Sequence, residues 1–216
     1  MIELAVNVVA PTVVLLFGSD EAYLGTLWGL IAALAFPLAH SAYTMASAGK
    51  ISPLAAIAVV SVLLTGGIGL LELPVAWFAW KEALFPALFG VASVLSVRTR
   101  FPLLPTLLAS ALDNDKINRL LAQNEQVDAH DKALLKATWQ MGAIFVATAG
   151  VTFFFARYMV VSATGTEAFN TELGRYTAMS FPFLGVPSTA LLLYIVHGVL
   201  LGIETRTGVE IDEVLR

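Results

Sequence analysis

The sequence predicts an all-α fold: a polytopic transmembrane helix bundle of about six spanning helices, with a short amphipathic helix in the cytoplasmic loop after the fourth. Three observations lead there. Of the 216 residues, 58% are hydrophobic and only 13% are charged, whereas a soluble domain is about 45–50% apolar and about 25% charged, so the surplus must face lipid. Apolar windows near the roughly 20 residues that a spanning helix needs recur along the chain, separated by polar breaks. Lysine and arginine are divided unequally between the two sides of the resulting arrangement.

The first window covers about residues 4–18, is interrupted by Asn7 and Pro11, and stops at Ser19-Asp20-Glu21. Before it, Met1-Ile2-Glu3-Leu4 has no basic n-region, so the segment is expected to be retained rather than cleaved as a signal peptide. At about 15 residues this window is the shortest, and a re-entrant or interfacial piece is the alternative to a span. The second window covers 23–45, and the third, 51–71, carries Thr65-Gly66-Gly67-Ile68-Gly69 near its end. The fourth, 75–97, contains Lys81 and Glu82 and closes on Arg98-Thr99-Arg100. The fifth covers 134–160, and the sixth, 178–203, has Pro182 and Pro187 in its first half. The whole chain, 1–216, reads as a single integral membrane domain.

Six spans place nine basic residues on one side, among them Lys50, Arg98, Arg100, Lys136, Arg206 and Arg216, against Arg157 and Arg175 on the other. By the positive-inside rule both termini and the loop 98–133 are cytoplasmic. Interfacial aromatics agree, with Tyr23, Trp28, Trp77, Trp80, Tyr158 and Tyr176 near the outer boundary and Tyr43 and Trp139 near the inner one. Within the loop, Asp113-Asn114-Asp115 offers a helix N-cap, and Ile117, Leu120 and Leu121 follow at helical spacing beside Lys116 and Arg119. That short helix is either a docking surface for a partner or anionic lipid, or a connector resting on the membrane. The acidic, half-apolar tail Val209–Val214 is expected to be a frayed terminal helix.

A net charge of −4 gives no basic surplus for a phosphate backbone, so nucleic acid is not an expected partner. The partners expected are the lipid bilayer itself and either other membrane proteins or further copies of the chain. The absence of cysteine excludes disulfides, thiolate metal sites and cysteine nucleophiles. His40, His130 and His197 are scattered without metal-ligand spacing, and no nucleophile elbow, P-loop or dinucleotide fingerprint occurs. A non-enzymatic protein without catalytic residues, cofactor or metal is the expectation. Gly66, Gly67 and Gly69 sit inside an apolar helix, where small residues let neighbouring backbones approach closely; a locally unwound helix lining a pathway is the other reading.

The chemistry concentrates in Trp77-Phe78-Ala79-Trp80-Lys81-Glu82-Ala83-Leu84-Phe85-Pro86. An ionisable group inside a span costs a few kcal/mol on insertion scales and raises a functional hypothesis by default. Successive helical residues point about 100° apart, so Lys81 and Glu82 are expected to need separate partners, with Lys81 able to snorkel to the interface. Pro86 gives no N–H to the carbonyl of Glu82, four residues back. Asn7 stands in the same relation to Pro11, and the match raises two three-helix halves of opposite topology as an arrangement. The expected polar intramembrane site is therefore Asn7, Thr65, Lys81 and Glu82, with Pro11, Pro86 and the three glycines as breaks or packing positions.

The stretch from Trp80-Lys81 through Pro102-Leu103-Leu104, the helix carrying Phe153 to Arg157, and the loop Glu167-Ala168-Phe169-Asn170 resemble the intracellular septation protein A family. Thr65 to Leu73 and Trp77 to Ala83 resemble more closely a related group of six-span bacterial inner-membrane proteins with T-G-G-I-G-L-L-E-L and W-F-A-x-K-E-A motifs. The septation family usually has proline directly after the lysine, where this chain has Glu82. The resemblance implies a non-enzymatic inner-membrane protein of septation or envelope maintenance and carries over no catalytic residue. The intramembrane charges imply instead a small secondary transporter or channel using Glu82, Lys81 and Asn7.

Overall fold

The computed structural model describes residues 5–48, 53–99, 102–109 and 111–215. Lys50, Arg100 and Arg216 of the basic set lie outside the described residues, as do Met1 to Leu4 and the expected start of the third span at Ile51. The described residues are mostly helical and hold no strand, only one isolated antiparallel bridge between Leu112 and Leu215. The helices are α1, residues 5–18, π-wound over Ala5–Val9 and Val14–Gly18; α2, Gly25–Ala48; α3, Pro53–Leu70; α4, Ala76–Ser96; and α5, Leu103–Leu108. They continue as α6, Asn114–Gln123; α7, Val127–Met159; α8, Glu167–Ser180; and α9, Val186–Thr207, which a π-turn at Phe181–Gly185 joins to α8.

Four of these stretches are long and apolar enough to cross a membrane: Gly25–Thr44, Ala76–Ser96, Val127–Met159 and Glu167–Thr207. Two shorter apolar helices, Val6–Gly18 and Val59–Leu70, accompany them among the described residues. Large apolar side chains such as Phe17, Phe154 and Leu193 stand exposed, an arrangement that lipid tolerates and water does not. The windows expected as the fifth and sixth spans are parts of longer helices than their hydropathy marks. Asp128 in the first turn of α7 and Thr166 capping α8 through the Phe169 N–H carry helix past the apolar limits. The expected loop at Glu167–Asn170 is therefore the first turn of α8.

The chain divides into two compact units, Met1–Leu84 with Gly150–Gly185 and Phe85–Ala149 with Val186–Arg216, which do not coincide with consecutive halves. In the first, Leu15, Leu30, Phe78, Ala156, Phe169 and Leu173 form the centre of the core. Two of the glycines lie under leucine side chains of α2: a Cβ at Gly69 would stand 2.5 Å from Leu30 Cδ2 and one at Gly66 would stand 2.9 Å from Leu34 Cδ1, so either leucine would have to move. Gly67 faces open space, so the packing role belongs to Gly66 and Gly69 alone. α3 ends in a Schellman cap, with the Leu73 N–H on the Ile68 carbonyl and Glu72 at φ +51°, a position that usually takes glycine.

In the second unit, Leu104, Ile117, Leu121, Met141, Val199 and Ile203 pack together. The amphipathic helix α6 is packed into this unit through Ile117 and Leu121. Its apolar face closes the core, the Asp113 side chain accepts the Lys116 N–H, and the Asn124 amide donates to the last carbonyls of α9 at Arg206 and Thr207. The tail is also not frayed. Ile211–Val214 forms a 3-10 turn, Val214 is fully buried, and Lys116 Nζ donates to the Glu213 carbonyl at 2.8 Å.

Candidate functional site

Three helices of the first unit build a continuous polar chain. Ser61 and Thr65 are four residues apart on α3 and so share a face; Lys81 and Glu82 come from α4 and Tyr176 from α8. Lys81 is 8% exposed. Its ammonium donates to Thr65 Oγ1 at 2.8 Å and to Ser61 Oγ at 3.3 Å, and pairs with Glu82 Oε1, so each of its three protons has an acceptor. Thr65 in turn donates to the Ser61 carbonyl at 3.0 Å, which uses its hydroxyl in both directions. The ring of Phe78 lies 5.3 Å from Lys81 Nζ, adding a cation–π contact.

On the other side, Tyr176 OH donates to Glu82 Oε2 at 3.0 Å, and its ring meets Phe78 edge-on with centroids 5.1 Å apart. Three sequence expectations are corrected. Lys81 does not snorkel: hydroxyls on the neighbouring helix and the carboxylate beside it satisfy it inside the unit. Adjacent helical residues do meet here, because the lysine and glutamate side chains are both long enough to reach round the α4 surface. Tyr176, expected in an interfacial belt, is buried with its hydroxyl on the carboxylate. Tyr23, Trp28, Trp77, Trp80 and Tyr158 are exposed.

The chain of groups borders a cavity of about 180 Å³ lined by five helices. Asn7, Thr65, Lys81 and Glu82 all lie on its wall, so the four expected site residues come together. Pro11 lines it as well, but Gly66, Gly67 and Gly69 do not. Pro86 stays inside α4, which runs through it without a break, and belongs to the second unit.

Sequence reasoning missed Ser61, Tyr176 and the pair Ala33 and Pro37, which also line the cavity. Pro37 lies inside α2 and gives no N–H to the Ala33 carbonyl, as Pro11 gives none within α1. Two walls of the cavity thus each carry a proline within a helix. The signals were present as S-x-x-x-T and A-x-x-x-P, each of which is also ordinary in an apolar helix. The unit holds a second buried polar tie. Asn170 on α8 is fully buried and donates to Ser19 Oγ at 3.0 Å and to the Thr26 carbonyl at 2.8 Å, fixing α8 to the turn after α1 and to the first turn of α2.

Among the described residues no group of three or more His, Asp or Glu side chains could hold a metal ion. No protein-family model, curated protein or solved structure matches this chain.

Proposed function

We propose that the protein is a six-span carrier of the bacterial inner membrane, with both termini cytoplasmic, that moves a small monoanion together with a proton. The observation that carries this reading is the convergence of Lys81, Glu82, Asn7 and Thr65 on one cavity within an apolar helical unit. An empty site holding Lys81 and Glu82 as an ion pair is neutral. Burying net charge in a low-dielectric interior is costly, so a ligand should enter without changing that sum. A proton on Glu82 removes the carboxylate partner, keeps Tyr176 within reach as a donor or acceptor, and leaves the Lys81 ammonium, still held by Ser61 and Thr65, to take an anion. The loaded site is neutral again. A volume of about 180 Å³ suits a solute of a few heavy atoms, since drug-sized ligands occupy roughly 300–1,000 Å³.

The nine-to-two distribution of basic residues supports the orientation, and the two short apolar helices are the first and third spans of this reading. A scaffold in envelope maintenance, as the septation-like motifs imply, is favoured by a different observation: the ion pair is tight and its hydrogen bonds are met within the protein. The two readings separate by access. Because the chain has no cysteine, Asn7→Cys and Thr177→Cys place single thiols on the cavity wall. A carrier predicts that a membrane-impermeant thiol reagent modifies them from either side of sealed vesicles. Reaction from one side only, or from neither, contradicts it.

A further inference from the structure

Independently of the cavity in the first unit, we propose that the second unit binds the headgroup of an anionic phospholipid in a groove between α7 and α9. The bond between Thr148 and Ser188 hydroxyls at 3.1 Å, with Lys136 and Arg206 on one groove, sets the two helices antiparallel. This register brings Lys136 level with Leu200, between His197 and Arg206, so three nitrogen-bearing side chains from two helices meet in one place. The groove encloses about 350 Å³, and Gln140 and Tyr194 add neutral polar groups to its rim. No carboxylate lines it. Glu204, the nearest acid in sequence on α9, accepts the Ile211 N–H at 3.0 Å and is occupied with the tail. Among the described residues neither Lys136 nor Arg206 forms an ion pair.

Two features place the charge. The Arg206 guanidinium folds back over Gly202, where any side chain would obstruct it. Gly198 faces open space, which leaves room on the groove floor. Trp139, exposed one turn beyond Lys136, marks this level as the membrane boundary. The remaining walls are apolar, from Ala137, Ile195, Val199 and Leu201. A cationic rim over an apolar wall at the boundary fits a molecule with a negative head and hydrocarbon tails, and basic pockets between helices on the cytoplasmic side bind such lipids. Free phosphate would use the rim and waste the wall.

The test is the thermal unfolding midpoint of the delipidated full chain in neutral detergent, titrated with phosphatidylglycerol, phosphatidylcholine or inorganic phosphate. The expected result is a rise with phosphatidylglycerol at concentrations where the other two have no effect. The double variant Lys136→Gln/Arg206→Gln should weaken that response roughly 30-fold, while Lys132→Gln, an exposed cation on the same helix outside the groove, should leave it unchanged. Gly198→Trp fills the groove with all charges retained and should also abolish the response, which decides the matter should the double variant not fold. An equal rise with phosphatidylcholine or with inorganic phosphate, or an undiminished response in a folded groove variant, overturns the proposal.

Discussion

The two units bury hydroxyls and amides in opposite ways. In the second, Ser93, Thr138 and Thr207 are buried and each hydroxyl donates to a carbonyl four residues back on its own helix, at 2.7–2.8 Å. Such a group is satisfied by the helix that carries it and says nothing about its neighbours. In the first, Lys81, Thr65, Asn170 and Ser19 are buried and bond between helices or from a helix to the turn beside it. The difference separates a polar residue tolerated in an apolar helix from one that specifies how helices meet. In the first unit, groups of the second kind surround a cavity with Lys81 and Glu82 on its wall.

The comparison can be broken at several levels. The largest effect is expected at Lys81→Met, which strands Glu82 and should cost about 3–5 kcal/mol in unfolding experiments in detergent. The double variant Lys81→Met/Glu82→Gln should recover much of that loss, and equal losses would show that the pair is uncoupled. Next comes Gly69→Leu, which must displace Leu30 and should cost about 1–3 kcal/mol, whereas Gly67→Leu, facing open space, should stay within about 0.5 kcal/mol. Asn170→Ala removes bonds to two other segments and should cost about 1–2 kcal/mol; Thr138→Val removes only a bond to its own helix and should cost about 0.5 kcal/mol. The smallest change is Glu72→Gly, which relieves the left-handed backbone at φ +51° and should stabilise the chain by under about 1 kcal/mol.

The helical class and the four long apolar stretches were legible because apolar length is a one-dimensional signal. The four site residues were legible for a related reason, since Asn7, Thr65, Lys81 and Glu82 are conspicuous in apolar surroundings. Their partners were not. Ser61 looks like any hydroxyl that a helix can absorb, and Tyr176 has the amphipathic ring of a boundary residue. Which of these turns inward depends on contacts across 94 positions, as between Tyr176 and Glu82. The extents of α7 and α8 escaped hydropathy because caps and polar helix formers, not apolar content, set their first turns. The tail misled for a similar reason, as its acidic residues hide Val214, which is entirely buried. Which of the three glycines packs was a question of helix face: Gly66 and Gly69, three apart, share the one turned to α2, and Gly67 does not.

The central claim is that Glu82 exchanges its ion pair for a proton while the unit stays folded. Infrared difference spectroscopy of the reconstituted protein, with and without a small monoanion at one fixed pH, tests it most directly, because a protonated carboxyl in an apolar site absorbs apart from an ionised one. The account predicts a protonated-carboxyl band on adding the anion that is missing in Glu82→Gln and retained in Glu172→Gln, whose carboxylate instead caps the loop through Val161 and Ser162. A difference spectrum unchanged by Glu82→Gln would mean that the pair never opens, and would contradict the carrier.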